Sequence, residues 1–302
     1  MLSIVITTFN DAESILPLIE SVLKTISPLK LQYELVLVDD NSTDNSREII
    51  SNICLYNINI KGIFLSRNYG QQIAMSAGIN SARGDYIVIM DGDLQNPPEK
   101  IIDLYHEASK GFDIVYCISK ERNGFLDKLS SKLIWFILKI LKVNIIPNQI
   151  MMRIFSKKAA EQFQKYREIN RTIAGINFDM GMKYSFINVT NNRRTFGKSH
   201  YSLLKRLNVA IDFILDLTIA PLNILIFIGF ITFLLSITLI LRYLYYYFSV
   251  GLQPGFTSII ILILFFGSIN LIIFGVLGRY LANIYIETRM RPLYLIDRKI
   301  NL

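Results

Sequence analysis

No charged residue occurs between Asp216 and Arg242, nor between Arg242 and Arg279. Residues 217–241 and about 258–277 are each long enough to cross a bilayer, which takes about 20 apolar residues. Buried helices of a soluble core are the alternative, but two such stretches in succession predict two membrane spans, at about 218–241 and 258–278. Residues 243–257 lie between them and carry Gly251, Pro254 and Gly255 as turn formers. Basic residues give the orientation. Lys198, Lys205 and Arg206 precede the first span, Arg279, Arg289, Arg291, Arg298 and Lys299 follow the second, and only Arg242 lies between. Lysine and arginine collect on the cytoplasmic side, so both termini are expected there.

The expected organisation is a cytoplasmic globular domain over 1–200, a juxtamembrane amphipathic helix over 201–217, two spans within 218–280 and a cytoplasmic tail over 281–302. The start, Met1-Leu2-Ser3-Ile4-Val5-Ile6, has no basic leader and soon meets Asn10 and Asp11, so it reads as a strand and not as a signal peptide. Cys54 and Cys117 both fall in the cytoplasmic part, which predicts neither a disulfide nor a zinc site. A formal charge of +8 suits a protein that lies against anionic lipid and handles phosphorylated ligands. No nucleic-acid-binding motif accompanies that charge, so nucleic acid is excluded as a partner.

Before residue 120 the chain alternates. Strands are expected over 3–8, 33–38, 62–65, 85–90 and 112–118, and helices over 12–25, 43–52, 69–82 and 97–110, the last with Asn96 as N-cap and Gly111 past its end. This β-α-β-α order implies an α/β fold with a doubly wound, mainly parallel sheet. Two acidic motifs follow apolar runs in it: Asp39-Asp40-Asn41-Ser42-Thr43-Asp44 and Asp91-Gly92-Asp93-Leu94-Gln95. Turn formers alone give such patterns, but both motifs stand at the carboxyl ends of strands, where open α/β sheets bind ligands. Two acids one residue apart on a turn can hold a divalent cation, and a cation there can grip a diphosphate.

Residues 126–142 place Lys128, Lys132, Lys139 and Lys142 on one face of an otherwise apolar helix. It suits the membrane interface, lysines toward lipid phosphates, or an ordinary surface helix with a solvated stripe. A second interfacial helix is expected over 203–217.

Val5-Ile6-Thr7-Thr8-Phe9-Asn10, the Asp39–Asp44 motif, Ser66-Arg67-Asn68-Tyr69-Gly70 and Asp91-Gly92-Asp93-Leu94-Gln95-Asn96-Pro97-Pro98-Glu99, in that order, resemble a family 2 glycosyltransferase of GT-A fold. With Arg194-Thr195-Phe196-Gly197-Lys198-Ser199-His200-Tyr201 and two C-terminal spans, the chain resembles the branch that moves sugars onto polyprenyl phosphate, which includes dolichyl-phosphate mannose synthases and bacterial undecaprenyl-phosphate glucosyltransferases. The resemblance implies a bacterial inner or plasma membrane location, inversion at the sugar, and a nucleotide-sugar donor, a UDP-sugar by likeness to bacterial members. It further implies Thr7, Phe9, Asp11, Asp39, Asp40, Arg67 and Asp91 at the nucleotide sugar, with Asp11 where a Glu is common. Asp91, Asp93 and Gln95 would hold Mg²⁺ or Mn²⁺, and family members include tetramers packed through their spans.

On the acceptor side the family commonly reads Asp-Phe-Arg-Leu where this chain has Met151-Met152-Arg153-Ile154. A lipid phosphate is already an anion near neutral pH, its second pKa being about 6, so it attacks without a general base and needs cations to position it. Lys120, Arg122, Lys132, Arg153, Arg194 and His200 are the candidates, the last standing where lysine is usual; Asp91, Asp93, Arg153 and Arg194 form the expected catalytic set. Two rival readings stay open: transfer to a hydroxyl of a lipid-linked or surface glycan with Asp179 as base, and a non-catalytic membrane partner that kept the fold.

Overall fold

The structure, a computed structural model, describes residues 1–94, 96–119, 149–168, 173–189, 220–250 and 255–302. It divides into two compact units: the described residues up to 189 together with 291–302, and those of 220–290.

The first unit is built on an eight-stranded mixed sheet of order β7-β5-β6-β4-β1-β2-β3-β8. The strands are β1 (Leu2–Thr8), β2 (Tyr33–Asp39), β3 (Ile60–Leu65), β4 (Tyr86–Asp91), β5 (Ile114–Ser119), β6 (Gln149–Ser156), β7 (Tyr184–Val189) and β8 (Ile296–Ile300). The alternating half matches expectation: β4, β1, β2 and β3 run parallel. The remaining strands keep the sheet mainly parallel but make it mixed: β5 and β7 pair parallel, while β6 pairs antiparallel with both β4 and β5, and β8 antiparallel with β3.

Helices α1 (Ala12–Ile26), α2 (Ser46–Tyr56), α3 (Gln71–Ser81), α4 (Lys100–Ala108), α5 (Lys157–Phe163) and α6 (Ile173–Asp179) accompany the sheet. The side-chain period of two along each strand sorts the residues into two cores. Ile4, Ile6, Leu35, Leu37, Val88 and Met90 point to the first core, with Ile15, Leu18 and Val22 of α1 and Leu104 of α4. Val5, Val36, Val38, Ile87 and Ile89 point to the other, with Ala74, Met75 and Ala77 of α3 and Phe163 of α5. Strands buried on both faces explain the near-continuous apolar runs.

Asn96 is not the N-cap expected of it. Pro97 precedes Pro98 and is thereby kept out of the helical region, so α4 starts at Lys100 with Glu99 as its cap, while Asn96 is buried.

In the second unit, α7 (Ala220–Val250) and α8 (Phe256–Thr288) span 31 and 33 residues. Both outrun the expected loop over 243–257, since α7 stays helical through Val250 and α8 begins at Phe256. Large apolar side chains stand exposed on both, among them Ile226, Phe227, Leu271 and Phe274. Among the described residues one helical segment, Phe265–Thr288, is long and apolar enough to cross a membrane, with a mean hydropathy of 1.6. The lysine-faced helix over 126–142 and the amphipathic helix over 203–217 lie outside the described residues.

Candidate active site

Strand register brings the acidic motifs together. Thr7 of β1 pairs with Asp91 of β4, and Thr8 with Asp39 of β2, so both acids end level with the end of the central strand. The ladders run one residue further: the Gly92 amide donates to the Thr7 carbonyl and the Asp40 amide to the Thr8 carbonyl, each at 3.0 Å. By alternation Thr7 and Asp91 continue the face of the second core and Asp39 that of the first.

The first motif is largely a clamp on the β1–α1 loop. Asn10, at φ 57°, donates its amide to Ser42 Oγ (2.9 Å) and accepts from the Thr43 amide through Oδ1 (2.8 Å). The Asp11 amide donates to Ser46 Oγ and the Ala12 amide to Asp44 Oδ2, both at 3.1 Å. Asp11 in turn accepts the Phe9 amide at 3.0 Å and leaves the Phe9 ring exposed. A cavity of about 590 Å³ opens here, lined by Asn10, Asp11, Ser14, Asp44 and Asp93 among others, a volume within the range of small-molecule sites.

Asp39 is fully buried; its Oδ2 accepts the Ser42 amide at 3.1 Å and pairs with Arg47 Nε at 3.3 Å, while Oδ1 has no hydrogen-bond partner among the described residues. Asp40 spends its carboxylate on the loop after β3, accepting the amides of Tyr69 (2.7 Å) and Gly70 (2.8 Å). Burial pushes both acids above the usual carboxylate range, against the pull of those hydrogen bonds. Gly70 sits at φ 90°, where a side chain would be strained, and ends this loop as the cap of α3. Arg67 lies over the Tyr69 ring, 4.4 Å from its centroid.

Asp91 accepts a hydrogen bond from Gln71 Nε2, a residue sequence reasoning passed over. The available signal was position: Gln71 opens the helix that follows the third parallel strand, and helix N-termini after such strands face the ligand edge. Burial, reinforced by the charge of Asp93, raises the Asp91 carboxyl to about 6. Leu94 follows at φ 59°, a strained value for a side chain of this size, and still packs against the first core. Thr7 contributes a buried hydroxyl without a partner among the described residues.

The family profile described as "Glycosyl transferase family 2" matches residues 3–179, more than half of the chain. The chain belongs to glycosyltransferase family 2. The transferase is 33% identical over 307 residues to the undecaprenyl-phosphate 4-deoxy-4-formamido-L-arabinose transferase of Proteus mirabilis, covering 99% of this chain and 94% of that one. It is 35% identical over 303 residues to the protein of the same name from Photorhabdus laumondii, covering 98% and 93%. Among solved structures it resembles mannosyl-3-phosphoglycerate synthase from Rubrobacter xylanophilus, with a TM-score of 0.53 at 14% identity over 72% of each chain, a likeness that bears on the fold alone.

β6 carries the remaining described candidate of the transferase. Arg153 is registered between Ile89 of β4 and Tyr116 of β5 and is 2% exposed. Its Nε donates to the Met151 carbonyl (2.9 Å) and its Nη2 to that of Ile150 (3.2 Å), while Nη1 has no hydrogen-bond partner among the described residues. Met151, at the usual acid position, offers its sulfur to Gln72 Nε2 at 4.0 Å and to Arg153 Nη2 at 3.7 Å, a weak acceptor where a carboxylate would be a strong one. Asp179 is exposed at the end of α6, and the Tyr166 hydroxyl donates to it at 2.7 Å. Gln95, Lys120, Arg122, Lys132, Arg194 and His200 lie outside the described residues.

Proposed function

We propose that this transferase moves a sugar from a nucleotide sugar, a UDP-sugar by preference, to polyprenyl phosphate at the cytoplasmic face of the membrane, with inversion. The observation that carries the reading is that relatives aligned over 98–99% of the chain are both named for undecaprenyl phosphate. The site agrees with an acceptor that needs no base, because Met151 replaces the acid and Tyr166 occupies Asp179.

Thr7, Phe9, Asp11, Asp39, Asp40 and Arg67 hold the nucleotide in this reading. An acceptor-phosphate oxygen attacks the anomeric carbon as the bond from that carbon to the diphosphate breaks, and the nucleoside diphosphate leaves. No proton has to be removed, since the second pKa of a phosphate monoester is about 6. Arg153 supplies positive charge from within the sheet, and Lys120, Arg122, Lys132, Arg194 and His200 are the other proposed contacts of the acceptor phosphate.

The donor set fits Mg²⁺ or Mn²⁺. Asp91 and Asp93 crowd two carboxylates at one turn, and crowding is what helps raise Asp91. Among the described residues no three His, Cys, Asp or Glu side chains form a closed metal site. An open pair of carboxylates, with Gln95 as the third ligand that the family resemblance implies, is the kind of site that such ions complete with substrate phosphates. A bound cation would neutralise the departing diphosphate.

Two membrane spans, α7 and α8, belong to this reading: β7 and β8 lie in one sheet, and an even number of crossings between them would keep that sheet on one side of the membrane. The basic residues flanking them keep the sheet cytoplasmic.

The test is transfer itself. Purified protein, Mn²⁺, undecaprenyl phosphate and radiolabelled UDP- and GDP-sugars should give organic-phase label with one donor, lost on adding EDTA. Asp93→Ala should abolish that label while the protein still inserts in membranes; full activity in the variant would remove the metal assignment.

A further inference from the structure

The segment after α8 returns to the sheet beside the loops that carry Asp39 and Asp40. β8 begins eight residues after α8 ends and adds to the free edge of β3. Its approach is wired to the loop that Asp40 clamps: the Leu295 amide donates to the Tyr69 hydroxyl (3.1 Å), and the Ser66 amide donates to the Leu295 carbonyl (3.0 Å). Ser66 Oγ and the Tyr69 hydroxyl share a hydrogen bond at 3.1 Å, and Asn80 Nδ2 donates to the Tyr294 hydroxyl at 3.0 Å.

A second wire reaches Asp39. Arg47 Nη2 donates to Asp297 Oδ2 at 2.8 Å while its Nε faces Asp39 at 3.3 Å, so one guanidinium bridges the tail and the buried acid. Arg298 stacks on Phe64 at 4.4 Å from the ring centroid, and Arg47 approaches the same ring at 5.3 Å. Without Asp297, Arg47 would keep Asp39 but lose the second of its two carboxylates beside the Arg298 cation. At the far end of β8, Asn301 Nδ2 donates to the carbonyls of Cys54 (2.6 Å) and Ile60 (2.9 Å), closing the α2–β3 turn away from the donor loops.

We infer that β8 is a positioning element of the nucleotide site: Leu295 through Tyr69, and Asp297 through Arg47, hold the supports of Asp40 and Asp39 in their binding arrangement. The inference rests on the donor assignment proposed above. Asp297 and the Tyr69 hydroxyl touch no substrate; they act through the loops. Coupling of this kind is reciprocal, so nucleotide binding also tightens β8 against β3.

The experiment uses the full chain in detergent with Mn²⁺ and UDP, followed by calorimetry and amide hydrogen exchange. UDP should slow exchange across β8 in the wild type. Asp297→Ala and Tyr69→Phe should each weaken UDP about five- to ten-fold, the order that a lost hydrogen bond commands, with the thermal midpoint nearly unmoved. Asp297→Glu should restore affinity. Asn301→Ala should lower the thermal midpoint and leave UDP affinity unchanged. Unaltered affinity in Asp297→Ala and Tyr69→Phe overturns the inference. So does an equal loss in Asn301→Ala, which would reduce the effect to stability. A wild type that binds neither UDP nor GDP overturns the donor assignment, and this inference with it.

Discussion

Gly92 stands where a methyl group has no room: a Cβ there would meet Thr8 Cγ2 at 2.9 Å, the Thr7 carbonyl at 3.0 Å and Asp11 Oδ2 at 3.1 Å. One of these neighbours is backbone that the Gly92 amide itself bonds, so it cannot yield without moving the end of β1. Gly92→Ala should therefore cost about 1–3 kcal/mol of stability. Displacing the Asp91–Asp93 turn by a fraction of an ångström should lower transfer by on the order of 10²-fold, read from initial rates. At the opposite end of the strands, Glu34 is buried and receives hydrogen bonds from Lys61, Ser3 and the Arg83 amide. Burial pushes its carboxyl up, but those partners outweigh burial and leave it below its ordinary 4.5. A carboxylate that titrates lower in the folded than in the unfolded chain stabilises fully above the unfolded value. That contribution is lost as pH falls through the folded one. Glu34→Gln should lose about 3 kcal/mol at pH 7 by leaving Lys61 buried without its partner, and the deficit should shrink below pH 4.5 in melting curves.

Helix α3 shows how an element aims the site. Gly78 faces Val5 so closely that a Cβ would fall 2.2 Å from Val5 Cγ1, which seats α3 on β1 and brings Gln71, at its first turn, to Asp91. Gly78→Ala should cost about 1–3 kcal/mol, and Val5→Ala in the same chain should recover part of it, a non-additivity that chemical denaturation can read. The same elements mark what the sequence made legible. β1, β2 and β4 announced themselves because buried parallel strands are apolar runs, and turn formers set Asp39 and Asp91 at their ends. β6 was hidden by Arg153, a charge buried in a strand interior that donates to backbone carbonyls. β8 was hidden because it is an edge strand: Asp297, Arg298 and Lys299 read as a polar tail, while Ile296 and Ile300 alone pack inward. Within the site, the acids were legible by residue type. Gln71, Arg47 and the Tyr69 hydroxyl were not, because their roles come from contacts between elements distant in sequence.

At the scale of the molecule, the sheet takes up chain from both sides of the two long helices, with β7 before α7 and β8 after α8. If both helices cross the membrane, the C-terminus shares the compartment of the catalytic unit. A fluorescent protein fused after Leu302 should then be bright and an alkaline phosphatase fusion at the same point inactive in cells; an active phosphatase would contradict the two-span topology. On the proposed function the acceptor is a phosphate anion that attacks unaided. Its most direct test offers one purified enzyme, with Mn²⁺ and the labelled donor it uses, undecaprenyl phosphate and undecaprenol side by side. Labelled lipid is expected from the phosphate and none from the alcohol, with Asp179→Asn retaining the rate within about two-fold. Comparable transfer to the alcohol, or a loss of at least about 10²-fold in Asp179→Asn, would contradict it and point to a hydroxyl acceptor served by a base.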